Sequence, residues 1–182
     1  MSGMKIDQTQ IVAQALVLLN REGLDGFNLR ALAKLLNVQP PALYWHVESK
    51  AALFALMAAE VYGKALVAVP EGLAWRQWLL CFGRSLRHAL LAQRDGARLC
   101  AIAPPLRDGN HESALIAALL AAGLSRNLAL TYESSVIALA LGWSIYEQNA
   151  ALREYLAEMV DIEKSFEIGL QAMVAGFPAR DA

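Results

Sequence analysis

The stretch VQPPALYWHV, residues 38–47, sets a phenol, an indole and an imidazole on three consecutive positions just after two prolines. Hydroxyl and ring N–H groups of this kind bond phosphate oxygens, and methyl and ring faces lie against bases. Leu43 and Val47 stand four apart and share one helix face, so Tyr44 and His46 point largely away from it. The spacing leaves Trp45 unplaced. The competing reading makes Tyr44 and Trp45 core aromatics, because apolar side chains at helical spacing are usually core.

Elsewhere the chain offers little reactive chemistry. Its three histidines are scattered, no glycine-rich phosphate loop occurs, and no Ser-His-Asp or Cys-His set has a recognised spacing. His111-Glu112 fits the polar start of a helix rather than a metal site. Cys81 and Cys100 each lack the close second cysteine of a zinc or redox pair and suit small buried side chains. No enzyme, metal or cofactor is expected.

The elements that must position the decapeptide are helices. Leu and Ala dominate the 182 residues, 57% are hydrophobic, and no segment alternates long enough for a sheet. Asp7 with Gln10 forms a capping box before a stripe of Ile11, Ala15, Leu18 and Leu19, and Gly23 closes that helix. Asn28 caps a second helix carrying Leu29, Leu32, Ala33 and Leu36, with Asn37 at its exit. Pro41 is then expected at the first helical position and Pro40 outside the helix, since the residue before a proline avoids the α region. Ser49 caps a fourth helix. Two helices, a tight turn and a short third helix make a helix-turn-helix, whose short helix fits a DNA major groove.

Beyond about residue 68 the sequence becomes more apolar. VPEGLAW marks a boundary between units at 1–66 and 67–182. Trp75, Trp78, Leu79, Phe82, Leu86, Ala89 and Leu90 form a stripe, with Arg84, Arg87 and His88 partly off it. A helix to about Asn149 is apolar on nearly every face and is expected to be buried all round. A last helix spans about 153–175. The runs SALIAALLAAGL and SVIALALGWSIY fall short of the roughly 20 residues that cross a bilayer. With no apolar leader at the start, a cytoplasmic protein with no membrane partner is expected. The net charge of −1 excludes a generally basic nucleic-acid coat but not a few placed DNA contacts.

On these residues the chain resembles the TetR family of transcriptional repressors. Residues 11–66, and LYWHV with a lysine three residues on, are similar to the tetracycline repressor subgroup. The resemblance continues through EGLAW, SLRHALLAQRDGARL and FEIGLQAMVAGF. It implies an all-α fold, an N-terminal three-helix DNA-binding head and a C-terminal helical domain for effector binding and dimerisation. It further implies that Arg30, Gln39, Pro40, Pro41, Ala42, Tyr44, Trp45, His46 and Lys50 face DNA. Arg30 can pair with guanine O6 and N7 and Gln39 with adenine, while Pro41 and Ala42 suit a thymine methyl. Tyr44, His46 and Lys50 suit phosphates. Tetracycline repressors carry polar residues where this chain has Pro40 and Ala42, so a different operator is expected. A homodimer would reach successive grooves of a palindrome through two heads about 34–36 Å apart. Gly142 and Gly169 would lie at the contact between subunits or in tight packing within one.

The resemblance also implies an effector cavity and a hinge motif at Arg94-Asp95, with Asp95 able to cap the helix after it. The tetracycline chemistry itself is missing. The family's magnesium-ligating histidine falls on Cys100, its drug-holding asparagine on Phe82, a phenylalanine on Leu86 and a second histidine near Leu66. Its Thr-Arg-Pro turn becomes Ala103-Pro104-Pro105. Mg²⁺ requires hard oxygen ligands, which these residues do not supply. The candidate lining is instead Trp75, Trp78, Phe82, Leu86, Cys100, Ile102, Trp143 and Tyr146, with Glu147, His88 or Ser144 as polar anchor. Such a lining suits a small hydrophobic effector; a filled core with no cavity is the alternative. Two rival functions remain: a regulator switched by a protein partner or by Cys100 oxidation, and a helical enzyme or carrier with a vestigial head.

Overall fold

The structure, a computed structural model, describes residues 6–103 and 110–178. Pro104-Pro105 lies outside the described residues, as do the side chains of His111-Glu112. The described elements are helices throughout: α1 (Gln8–Gly26), α2 (Leu29–Leu35), α3 (Pro40–Tyr44), α4 (Lys50–Val67), α5 (Trp75–Leu91), α6 (Gly96–Ile102), α7 (Asn110–Ala121), α8 (Arg126–Gln148), α9 (Ala150–Met159) and α10 (Ile162–Gly176).

The caps read from sequence form. Asp7 accepts from the Gln10 amide at 2.7 Å and its own amide donates to Gln10 Oε1. Asn28 and Ser49 each accept from the residue three positions on. The regular part of α1 stops at Gly23, where φ is 72°. A Cβ there would also meet Arg94 Nε and Asp95 Oδ2 at 3.0 Å, so glycine is required twice over. Asn37, at φ 54°, turns the chain out of α2.

Helices α1 to α4 pack around Ile11, Leu19, Phe27, Leu32, Leu43, Val47, Leu53 and Met57, all buried. Helices α5 and α8 form the centre of the rest, joined by α6, α7 and α10. Gly83 lets α5 approach both neighbours: a Cβ would lie 2.9 Å from Leu170 Cδ1 and Val136 Cγ1.

Four expectations need correction. The last helix is two, because the chain breaks at Val160, and Asp161 caps α10 by accepting from Lys164 N at 3.0 Å. Helix α8 is not buried all round; only Ala129, Tyr132, Glu133, Val136, Ala140 and Ser144 are buried. Because α8 also continues through polar residues, its 23 residues do reach membrane-spanning length, and its most apolar 18-residue stretch has mean hydropathy 1.4. Finally, Arg87 is not off the stripe but only 8% exposed, held by carboxylates from two other helices.

Candidate functional site

The short helix α3 begins at Pro40, one residue earlier than the sequence predicts. Gln39 is the N-cap with ψ 142°, and both prolines sit in the first turn. The pre-proline restriction falls on Gln39, which is extended in any case, and neither missing N–H would have had a helical partner. The helix has five residues, far below the roughly 12–15 at which an isolated helix is even marginal. Packing therefore holds it. Leu43 is 0% and Val47 3% exposed, and Gln8 Nε2 donates to the His46 carbonyl at 3.3 Å.

The opposite face is open. Tyr44 is 55% and Trp45 86% exposed, so neither is a core aromatic. Arg30, Gln39 and Pro41 are exposed beside them, while Pro40, Ala42 and His46 are half-buried. Lys50 is placed differently from a simple phosphate ligand. Its Nζ donates to the Phe27 carbonyl at 2.8 Å and sits 5.6 and 5.2 Å from the Phe27 and Phe54 ring centroids. It locks the loop before α2 onto α4, work that the sequence does not announce.

A second cluster ties this head to the rest. Asp95 does not cap α6; its backbone is left-handed, at φ 57°, and its side chain makes no cap bond. Instead Oδ2 accepts from Leu24 N at 2.8 Å and Oδ1 from Arg98. Arg94 donates to the Arg21 carbonyl and Arg98 to Asp25. The C-terminal end of α1 is thus held by the α5–α6 turn. Gln148, which sequence reading passed over, fastens that turn to α8 by donating to Leu90 O and Gln93 O.

The expected effector lining is only partly assembled. Trp78 stacks on Phe82 with centroids 5.1 Å apart, and Phe82, Leu86 and Cys100 are buried. Trp75 is used elsewhere, stacked on Tyr132, which stacks in turn on Phe177. Ile102 is 59% and Tyr146 46% exposed, with Trp143 edge-on to Tyr146. His88 is exposed. Ser144 Oγ is buried with no hydrogen-bond partner among the described residues. Glu147 is committed to Arg87, which grips both its oxygens at 2.8 Å and also reaches Glu163 at 2.6 Å. Two buried polar residues, Tyr62 and Glu133, are not legible in the sequence, because each stands beside polar neighbours that are exposed or half-buried. Burial pushes the Tyr62 phenol up, with Cys100 and Glu133 adding to it.

Residues 11–57 match the family of bacterial regulatory proteins, tetR family. The chain is 31% identical over 196 residues to the class E tetracycline repressor of Escherichia coli, covering 97% of this chain and 92% of that one. The chain belongs to the TetR family. Within it, a solved relative is a TetR variant from Acinetobacter baumannii AYE in complex with minocycline. This TetR-family chain superposes on it with a TM-score of 0.79 at 33% identity, over 95% of this chain and 97% of that one. BioQ with its double-stranded DNA operator gives 0.72 at 30%, over 96% and 99%.

On the other side of the TetR-family core, Arg84 pairs with Glu167 across α5 and α10. The Arg84 guanidinium holds the Glu167 carboxyl below its ordinary 4.5. That stabilisation is present above pH 4.5 and is lost as pH falls through the lowered value. Both side chains are partly exposed, so Glu167→Gln should cost under about 1 kcal/mol in urea unfolding near neutrality. The gap from wild type should close in acid.

Proposed function

We propose that the chain is a homodimeric, cytoplasmic transcriptional repressor that holds a palindromic operator and releases it when a small, largely hydrophobic effector binds residues 67–182. The observation that carries the proposal is α3 itself: a proline-started helix with Leu43 and Val47 sealed beneath it and Tyr44 and Trp45 presented outward. Arg30, Gln39, Pro40, Pro41, Ala42 and His46 share this region and complete the DNA-facing set, and Lys50 supports it from behind. BioQ with its operator, a structure of similar fold, supports duplex DNA as the target.

Dimerisation through α8 and α10 is supported by surface left unpaired in one subunit. A Cβ on Gly142 or Gly169 would meet nothing within 4 Å, which removes tight packing within one chain as their role. Ile168 is 57% exposed. Only 33% of the most apolar window of α8 is buried within the subunit, and a second copy would cover the remainder.

An effector other than Mg-tetracycline is supported by three residues. Cys100 and Phe82 offer no hard oxygen, and the Glu147 carboxylate is already neutralised by Arg87. The rival switch by Cys100 oxidation is disfavoured because burial pushes that thiol up to about 12, and the thiolate is the reactive form.

Selection from random duplex DNA tests the whole reading. A palindrome should be enriched, released by members of a hydrophobic compound library, and retained in the presence of Mg-tetracycline. Tyr44→Ala should weaken binding of the enriched duplex about tenfold, the loss of one charge-free phosphate contact and its packing. Wild-type affinity in that variant, or no enriched duplex, sinks the proposal.

A further inference from the structure

A cleft of about 390 Å³ lies between the α4–α5 connection and the last turn of α7, walled by Val69, Glu71, Leu73, Trp78, Ala118 and Ala121. We propose that it binds a lipophilic cation, and this rests on the reading of the chain as an effector-released repressor because the cation would be that effector.

Its size falls within the roughly 300–1,000 Å³ of small-molecule sites. The walls are apolar except for Glu71, and no lysine or arginine lines it among the described residues. Two helices end at the cleft. Val69 follows the C-terminus of α4 by two residues, and Ala118 and Ala121 belong to the C-terminal turn of α7. Helix C-termini carry partial negative charge from carbonyls without helical partners, and they favour a cation. Gly123, at φ 86°, closes α7 by donating to Leu120 O. Lys64, in the last turn of α4, is turned to a different groove and paired with Glu60 at 3.5 Å. The indole of Trp78, 7% exposed, supplies part of the apolar wall. The carboxylate and the two helix C-termini therefore point to one charge sign, and the apolar walls, Trp78 among them, to a hydrocarbon or aryl shell around it.

The position links the cleft to the interior. Trp78 is 7% exposed and stacks on Phe82, so a molecule pressing on its outer edge bears on the core between α5 and α8. The connection that forms the other wall leads directly from α4, which carries the DNA-facing head.

Tetraphenylphosphonium and tetraphenylborate have nearly the same size and shape and opposite charge. Titration calorimetry on the full-length protein should show the phosphonium binding at least tenfold more tightly. Glu71→Gln should reduce that preference at least threefold. Ala121→Leu, at an exposed position that tolerates the larger side chain, should fill the cleft and abolish phosphonium binding. Equal affinity for the two ions, or unchanged phosphonium binding in Ala121→Leu, overturns the proposal. Operator retention in the same titration separates the two readings. Release by the phosphonium supports both, whereas binding without release keeps the site and removes its role as the effector site.

Discussion

Replacing Arg87 with methionine is expected to lower the midpoint of thermal unfolding by about 10 °C. The guanidinium joins three helices: from α5 it reaches Glu147 on α8 with two bonds and Glu163 on α10 with one, and its carbon lies 4.8 Å from the Phe166 ring centroid. These hydrogen bonds raise the Arg87 pKa against the opposing pull of burial, so it stays charged at any working pH. The Glu147 side chain is 13% exposed and that of Glu163 77%. Removing the arginine would leave Glu147 as a largely buried charge without its partner, a change that costs about 3–5 kcal/mol. For a chain of this size each kcal/mol shifts the midpoint by roughly 2–4 °C. Glu163→Gln should cost far less, because water already solvates that carboxylate. The double variant Arg87→Met with Glu147→Leu should recover most of the loss, since an apolar pair of similar volume is often as stable as the ion pair. Scanning calorimetry on the three variants checks the ordering. An unchanged midpoint for Arg87→Met would mean that the pair contributes nothing.

This cluster also shows where sequence reading stops. Caps, glycines and apolar stripes are local signals, so Asp7 with Gln10, Asn28, Ser49, Leu43 and Val47 could all be placed correctly from neighbours within four residues. Arg87 could not. Its partners lie 60 and 76 positions away, and a charge beside an apolar stripe looks solvated until those partners are known. The same applies to Lys50, whose acceptor is 23 residues back, and to Asp95, which looks like a cap but serves Leu24 across 71 residues. Helix α8 was misjudged for another physical reason. An apolar surface left exposed on the chain and one facing its own core have the same composition, so periodicity cannot separate them. Pro40 was misplaced because two rules, proline at the first turn and the residue before proline extended, act on adjacent residues, and the sequence does not say which residue each governs.

The legible part was also the part on which the proposed DNA reading depends, and it can be tested there. Leu43→Ala is expected to weaken operator binding about 100-fold while the midpoint of residues 67–182 stays near wild type. Leu43 is 0% exposed and is the one buried side chain within α3. Truncating a buried leucine costs about 2–5 kcal/mol. In a long helix that loss is spread over many contacts, but α3 has five residues and no stability of its own. The loss therefore appears as local release of α3 rather than as global unfolding. At about 1.4 kcal/mol per factor of ten, about 3 kcal/mol leaves roughly one head in a hundred with Tyr44 and Trp45 correctly presented. Hydrogen exchange distinguishes this from loss of a direct contact. The amides of Ala42, His46 and Val47, bonded to Gln39 and Leu43 carbonyls, should lose protection in Leu43→Ala and keep it in Tyr44→Ala. If Leu43→Ala binds DNA like wild type, α3 is not the element that reads it. If binding fails with protection intact, its outward face is not held by the packing beneath it.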